Sequence, residues 1–335
     1  MIHFGGLQRL AIIGGGAWGT ALALVARRAG TAVVLWARDR GVAAEINEQH
    51  QNSLFLPGVA LDPAVTATAD LRAATEKAEG ALLVVPAQFL RGVLYLLAAR
   101  LRQGLPILLC AKGIETASLK TMSEIAADIL PNCPSAVLSG PTLALEVARG
   151  LPAAVTIASR DASLGRAFVT ALGSGKFRPY LSEDPIGAEI GGAVKNVLAI
   201  ACGIVSGRGL GDNARAALIT RGLAEMIRLG VAKGGRPETF SGLSGLGDLV
   251  LTCNAAQSRN FALGLALGQG QRLDAVLRGR RSVVEGVATA VAVVRLGERL
   301  GVEMPISEGV DAVLHRGGSI DAMIEQLLRR PYRAE

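Results

Sequence analysis

The chain has 335 residues, of which 50% are hydrophobic and 19% are charged, which is typical of a folded globular protein and excludes a disordered one. Its 35 basic and 28 acidic residues give a net charge of +7, which favours anionic small molecules as ligands. Aromatic residues make up only 4% of the chain and are not interleaved with basic runs, so we do not expect nucleic-acid binding.

The first half of the chain alternates strand-like apolar runs with helical patterns. This alternation predicts a parallel β-sheet covered by helices on both faces, an α/β fold. The candidate strands are Leu10–Ile13, Ala32–Trp36, Ala81–Val85, Ile107–Cys110, Ala136–Ser139 and Ala153–Ala158.

The first of these strands runs directly into a glycine-rich turn. Gly14, Gly16 and Gly19 follow the GxGxxG spacing, and a helical pattern continues from there to Arg28. In this strand–turn–helix order the first glycine makes the tight turn and the second lets the backbone approach a pyrophosphate. The third packs the helix against the strand. The segment therefore predicts a dinucleotide site with the phosphates at the helix N-terminus.

The second strand indicates which dinucleotide is preferred. It is followed by Arg38, whose guanidinium can accommodate the 2′-phosphate of NADP, and by Asp39, which leaves NAD open. We therefore favour NADPH without excluding NADH. Pro86 ends the third candidate strand. It either lies beside the nicotinamide or only terminates the strand.

Strand-like runs disappear from about Asp184 onward, and 3.6-residue periodicity takes over. We therefore predict a dinucleotide-binding domain over residues 1–184 and an all-helical substrate domain over residues 185–335, with a ligand cleft between them. The candidate helices are Ile186–Gly203, Ala214–Leu229, Phe261–Leu267, Val287–Leu300, Ile306–His315 and Asp321–Leu328.

Two further features bear on the protein's surroundings. Even the most apolar run, Ala193–Ile204, is broken by Lys195 and Asn196, so no stretch reads as long enough to cross a bilayer. The N-terminus has no basic segment of a signal peptide, and we expect a cytoplasmic protein. The four cysteines and three histidines are scattered, so we expect neither a metal site nor a histidine base.

This absence directs the search for a proton carrier to lysine. Gly191 and Gly192 lie one turn before Lys195 in an apolar helical pattern. Each glycine costs a helix about 1 kcal/mol relative to alanine, so the pair indicates that something approaches this helix closely. A desolvated lysine there would have the lowered pKa that proton transfer needs. The alternative is a lysine whose ammonium extends into solvent.

Six short motifs span both predicted domains in order, namely residues 14–21, 111–113, 139–142, 192–196, 246–249 and 258–260. Pieces between them, at residues 55–57, 220–226 and 283–286, belong to the same set. With these motifs the chain resembles the bacterial NAD(P)-dependent sn-glycerol-3-phosphate dehydrogenases from residue 10 to residue 328. A mild departure is Ala17, where many relatives carry serine.

The resemblance implies a Rossmann-type doubly wound sheet followed by an all-α domain like the C-terminal domain of 6-phosphogluconate dehydrogenase. It also implies a homodimer that reduces dihydroxyacetone phosphate to sn-glycerol 3-phosphate, the backbone precursor of membrane phospholipids. NADPH or NADH would be the cofactor, and stable membrane insertion is not expected.

Site residues follow from the same resemblance, with Lys195 as the proton donor or acceptor. The substrate would contact Lys112, Gly140, Thr142, Lys195, Asp248, Ser258, Arg259 and Asn260. The glycine turn (Gly14, Gly16 and Gly19) and the resemblance together give the cofactor-binding set as Gly14, Gly16, Ala17, Trp18, Gly19, Arg38, Lys112, Ala144, Arg259, Val283 and Glu285.

The residue types suit this chemistry. Arg259 presents a planar fork for a phosphate at a helix start that Ser258 can cap, while Lys112 and Lys195 can stabilise a developing alkoxide. Asp248 would orient Lys195 or a substrate hydroxyl. Structural alternatives stay open: a turn or cap role for Asp248 and Glu285, a surface ion pair for Arg259, and a solvated loop position for Lys112.

Two other functions compete with this one. A β-hydroxyacid dehydrogenase would share the architecture and a helical lysine, but its substrate carries a carboxylate instead of a phosphate. A nucleotide-sensing module would bind the cofactor without turnover and would need no lysine in the cleft.

Overall fold

The computed structural model describes residues 6–278 and 283–329. Within them eight strands form one sheet in the order β3-β2-β1-β4-β5-β6-β7-β8. In chain order, β1 to β8 are Arg9–Ile13, Ala32–Trp36, Thr66–Thr68, Gly80–Leu83, Ile107–Leu109, Ser135–Ser139, Ala153–Ala158 and Phe177–Ser182.

The first six strands pair in parallel throughout. Their order, β3-β2-β1-β4-β5-β6, reverses direction between β1 and β4, so a crevice opens at the carboxyl ends of these two strands. The predicted doubly wound α/β sheet is confirmed, and it places the glycine turn after β1 at this crevice.

The sheet differs from the prediction in three places. β3 was not predicted because its three residues are too few for a periodic signal. β8 was not predicted because Arg178 and Pro179 interrupt its apolar pattern. A proline is tolerated there because β8 lies at the edge of the sheet. β7 runs antiparallel to β6, and the connection over residues 140–152 holds one five-residue helix, Ala144–Ala148, since an antiparallel pair needs no long crossover helix.

Sixteen α-helices occur among the described residues. In chain order, α1 to α16 are Ala17–Arg28, Arg40–Gln49, Leu71–Thr75, Leu90–Ala98, Met122–Ile129, Ala144–Ala148, Ala162–Leu172, Pro185–Gly207, Gly211–Ala232, Pro237–Phe240, Asp248–Asn254, Arg259–Gly268, Leu273–Leu277, Glu285–Leu300, Pro305–His315 and Ile320–Leu328. The described residues after β8 contain no strand, which agrees with the all-helical texture predicted there.

The long helix α8 forms the centre of the helical half. It is 23 residues long, and every residue from Gly187 to Val205 is buried. It is the one described helix whose length and hydropathy would suffice to cross a membrane, contrary to the reading of the sequence alone, but 89% of its most apolar window is buried inside the protein. Its apolar surface is therefore that of a core helix packed against α9, α11, α12 and α14.

Glycines allow α8 and α12 to pack backbone against backbone. A Cβ at Gly264 would collide with the carbonyl oxygen of Ile200, and one at Gly203 would collide with that of Phe261. Gly207 and Gly268 make equivalent contacts one turn further along. This close approach holds α12 along the second half of α8, with the start of α12 beside Asn196, the residue after Lys195.

We predict that Gly264→Ala destabilises the protein, because the added methyl forces the two helices apart. Such overpacking costs about 1–3 kcal/mol and should lower the melting temperature in a thermal scan. The control is Gly92→Ala in α4, where a Cβ meets open space and should be neutral or stabilising. Equal melting temperatures for the two variants would contradict this account of the α8–α12 contact.

Candidate active site

A single carboxylate joins two lysines beside the crevice. Asp248, the first residue of α11, accepts a hydrogen bond from Lys195 Nζ at 2.9 Å on one oxygen and from Lys112 Nζ at 2.7 Å on the other. The carboxylate is 0% exposed, and the lysine side chains are 9% and 14% exposed. Lys195 therefore lies inside the protein, and its ammonium does not extend into solvent.

Burial and charge act together on these groups. Burial lowers the pKa of Lys195 to about 8, helped by Lys112 and opposed by Asp248. For Asp248, burial alone would raise the pKa, but the two ammonium groups outweigh it and hold the pKa below its ordinary value. An amine with a pKa near neutrality can both hold and release a proton under physiological conditions.

The two glycines before Lys195 allow protein segments to approach α8. A Cβ at Gly191 would collide with the carbonyl oxygen of Ser244, and one at Gly192 would lie 2.8 Å from the Ser139 hydroxyl. Ser244 belongs to a π-helical turn, Leu243–Gly247, that leads directly into Asp248. The close contact expected from the sequence is thus made by the turn that delivers the carboxylate.

Lys112 is held from the sheet side as well. Its ammonium donates to the Gly140 carbonyl at 2.7 Å, just beyond the end of β6. Gly140 has a φ of +134°, and a Cβ there would lie 3.0 Å from the Val155 backbone, so the position requires glycine. The Thr142 hydroxyl donates to the same carbonyl at 3.3 Å.

Sequence reasoning missed Thr252. Its hydroxyl accepts from Lys195 Nζ at 2.9 Å and donates to the Asp248 backbone carbonyl at 2.6 Å. It lies four residues after Asp248 on α11, so helical spacing from the carboxylate was the available signal.

The start of α12 carries the predicted phosphate-binding group. The Ser258 side chain caps this helix by accepting from the Phe261 N–H at 3.2 Å, the capping role considered from the sequence. Arg259 is exposed and donates to the Val283 carbonyl at 2.8 Å. Asn260 is buried and hydrogen bonded to protein groups through both ends of its amide.

Glu285 opens α14 across from the sheet. Its carboxylate accepts from the Ala87 N–H, just after Pro86, at 3.2 Å, while its second oxygen is buried without a partner. Burial raises its pKa, opposed by the Ala87 hydrogen bond and by the charge of Arg259. Glu285 thus connects the helical half to the crevice. It is also the first residue of α14, the structural role that was the alternative in the sequence analysis.

The glycine turn has the geometry of a phosphate cradle. Gly14 has a φ of +132° and Gly19 packs against the Gly14 carbonyl, whereas a Cβ at Gly16 would meet nothing within 4 Å. No side chain caps the N-terminus of α1, and Trp18 Nε1 is buried without a partner. Open space, free N–H groups and an orphaned donor at one helix start fit a dinucleotide.

Other cofactor candidates surround this turn. Ala17 starts α1, and Ala144 starts α6, which packs on α1. Arg38 is exposed and has no hydrogen bond or ion pair to any residue within the described ranges. Asp39 instead caps α2 by accepting from the Gly41 N–H at 2.7 Å. Of the two residues considered for the ribose, Arg38 is therefore the unengaged one.

No group of three or more histidine, cysteine, aspartate or glutamate side chains that could hold a metal occurs in the part of the chain that the structure describes. His3 lies outside the described residues.

Comparison with known proteins decides between the families that share this architecture. Residues 9–165 match the N-terminal family model of NAD-dependent glycerol-3-phosphate dehydrogenase, and residues 184–325 match the C-terminal model. The chain belongs to the NAD-dependent glycerol-3-phosphate dehydrogenase family. The resemblance drawn from the sequence motifs is confirmed.

Individual relatives agree with this family across nearly the whole chain. The chain is 59% identical over 98% of its length to glycerol-3-phosphate dehydrogenase [NAD(P)+] of Rhodospirillum rubrum, of which 94% is covered. It is 56% identical over 98% of its length to the Caulobacter vibrioides enzyme, 99% of which is covered. The crystal structure of the Coxiella burnetii enzyme superposes with a TM-score of 0.93 at 40% identity, covering 97% of this chain and 99% of that one.

Proposed function

We propose that this protein catalyses the reversible, NAD(P)H-dependent reduction of dihydroxyacetone phosphate to sn-glycerol 3-phosphate. The observation that carries the proposal is the buried Asp248 carboxylate between the ammonium groups of Lys112 and Lys195. It places two cations, one with a pKa near neutrality, beside the crevice of a dinucleotide-binding sheet.

The catalytic role falls to Lys195. When bound, the reduced nicotinamide supplies the hydride for the carbonyl carbon. The Lys195 ammonium gives its proton to the carbonyl oxygen as that oxygen gains charge, and it is left as the neutral amine. Lys112 keeps its positive charge throughout and stabilises the developing alkoxide. In the reverse direction the neutral Lys195 amine takes the proton from the alcohol.

Substrate recognition uses the surrounding polar groups. Arg259, at the N-terminus of α12, offers a planar fork and a helix start to the phosphate. We assign the remaining substrate contacts to Lys112, Gly140, Thr142, Lys195, Asp248, Ser258 and Asn260. On Ser258 the hydroxyl hydrogen remains for this task, since its oxygen accepts from Phe261 and its backbone N–H donates to the Ala255 carbonyl. On Asn260 the second amide hydrogen remains.

The cofactor would be held by the glycine turn and its neighbours. Gly14, Gly16, Ala17 and Gly19 would hold the pyrophosphate at the start of α1, with Trp18 beside it. We assign Arg38 to the 2′-phosphate, which favours NADPH, and the remaining contacts to Lys112, Ala144, Arg259, Val283 and Glu285.

The competing functions have less support. The family match does not favour a β-hydroxyacid dehydrogenase. A nucleotide-sensing module gives no reason for two lysines on one buried carboxylate. Following the oxidation of NADPH by absorbance with dihydroxyacetone phosphate or with a β-ketoacid separates all three.

Several properties of the whole protein remain our proposals. We place the domain boundary at residues 184 and 185, where Asp184 caps α8. We further propose a cytoplasmic homodimer without stable membrane insertion or nucleic-acid binding, whose product supplies glycerophospholipid synthesis.

Removing the proton carrier tests the assignment of Lys195. Lys195→Ala should lower the turnover number by about 10²- to 10⁴-fold, because the general acid is lost. The dissociation constant of NADPH, measured by fluorescence titration, should change little. Lys176→Ala, at an exposed lysine outside the site, is the matched control. An unchanged turnover number in Lys195→Ala would contradict the assignment.

Cofactor preference tests Arg38. Arg38→Ala should raise the KM for NADPH by about tenfold to a hundredfold, the value of a lost charge-assisted hydrogen bond, while kinetics with NADH hardly change. The control is Arg160→Ala, at another exposed arginine. Equal effects on both cofactors would show that Arg38 does not contact the 2′-phosphate.

A further inference from the structure

Two buried asparagines form a chain of hydrogen bonds beneath the site. The Asn196 side chain on α8 donates to the backbone carbonyl of Lys112 at 3.3 Å. The Asn260 side chain on α12 donates to the Asn196 amide oxygen at 2.8 Å, and the Gly286 N–H donates to the Asn260 amide oxygen at 3.0 Å. These hydrogen bonds thus link the loop after β5 to α8, α12 and α14.

The two ends of this chain fix the direction of both amides. The Gly286 N–H can only donate, so the Asn260 oxygen must face it. The Asn260 NH₂ then faces Asn196, whose oxygen must accept, and the Asn196 NH₂ is left to face the Lys112 carbonyl, which can only accept. Neither amide can flip without leaving buried polar groups unpaired.

Gly286 fits this arrangement because it has no side chain. A Cβ there would lie 2.7 Å from the Asn196 carbonyl oxygen, the Asn260 amide oxygen and an Ile200 methyl carbon. The preceding residue, Glu285, accepts from the Ala87 N–H on the sheet side of the crevice. The Gly286 end of this series of hydrogen bonds is therefore anchored on both sides of the site.

We propose that Asn196 is a positioning residue, which fixes the backbone of Lys112 so that its ammonium stays between Gly140 and Asp248, and that Asn260 holds Asn196 in this orientation. A lysine ammonium lies at the end of four rotatable bonds, so its place depends on where its backbone is fixed. The inference rests on the proposed function, since it concerns how Lys112 serves the transition state.

This role has a consequence that loss of stability alone would not produce. Lys112 and Lys195 share the Asp248 carboxylate, and the charge of Lys112 lowers the pKa of Lys195. If the Lys112 ammonium moves away, the Asp248 carboxylate interacts with Lys195 alone, and the pKa of Lys195 rises. The other charged or titratable group acting on Lys195 is the buried Cys253 thiol, which this change leaves in place.

The first test compares Asn196→Leu and Asn260→Leu with the double variant. Asn196→Leu should lower the turnover number by up to about a hundredfold, with smaller changes in KM, because a misplaced Lys112 ammonium stabilises the transition state less well. The alkaline limb of the pH profile should move to higher pH. The double variant should shift the alkaline limb no further than Asn196→Leu, since both residues act on Lys112 through the same hydrogen bonds, whereas KM also reports the proposed substrate contact of Asn260. Asn254→Leu, at an exposed asparagine on α11, is the control.

The second test needs neither turnover nor cofactor. Acetylation of Lys195 by acetic anhydride on the full-length protein at a series of pH values, followed by digestion and mass spectrometry of the peptide that contains Lys195, reports its pKa in each variant. A higher pKa in Asn196→Leu than in the parent supports the proposal. If Asn196→Leu does not fold, Asn260→Leu is read in the same way. An unchanged pKa of Lys195 together with an unchanged turnover number per folded molecule would overturn the positioning role of Asn196. A parent protein that does not reduce dihydroxyacetone phosphate would contradict only the proposed function.

Discussion

The structure depends on one buried carboxylate that is shared by two cations. Asp248 is fully enclosed, and an isolated charge there would be strongly unfavourable. Lys112 and Lys195 make the burial tolerable, and in return the carboxylate keeps two like charges close together. One negative charge between two positive charges leaves the cluster with a net cation, which suits an anionic substrate and an oxygen that becomes an alkoxide.

Backbone contacts at glycine bring the members of this cluster together from both halves of the fold. Lys112 follows β5 at the carboxyl edge of the sheet, whereas Lys195 and Asp248 come from the helical half. Gly191 lets the turn before Asp248 approach α8, and Gly264 lets α12 do so. A larger side chain at either position would separate groups whose function depends on hydrogen-bond distances.

Much of this arrangement could be predicted from the sequence because local signals were strong. The glycine turn after an apolar strand gave the dinucleotide fold, and helical periodicity gave the long helices to within a few residues. The antiparallel β7 could not be predicted, since strand direction depends on how a connection packs. The hydrogen bonds through Asn196 were also missed, because contacts between distant segments leave no periodic pattern. Thr252 was missed although it lies four residues after Asp248 on the same helix. Similarly, Asp39 was an open candidate until the structure placed it as a helix cap.

The pH dependence of kcat/KM in both directions tests most directly whether Lys195 carries the proton, because kcat/KM reports the pKa values of the free enzyme. Its pKa is lowered from 10.5 to about 8, so the ammonium predominates below that pH and the amine above it. Reduction of dihydroxyacetone phosphate, which needs the ammonium, should slow as the pH rises through about 8, and oxidation of glycerol 3-phosphate, which needs the amine, should accelerate over the same range. Values of kcat/KM that stay constant across this range in both directions would contradict the account.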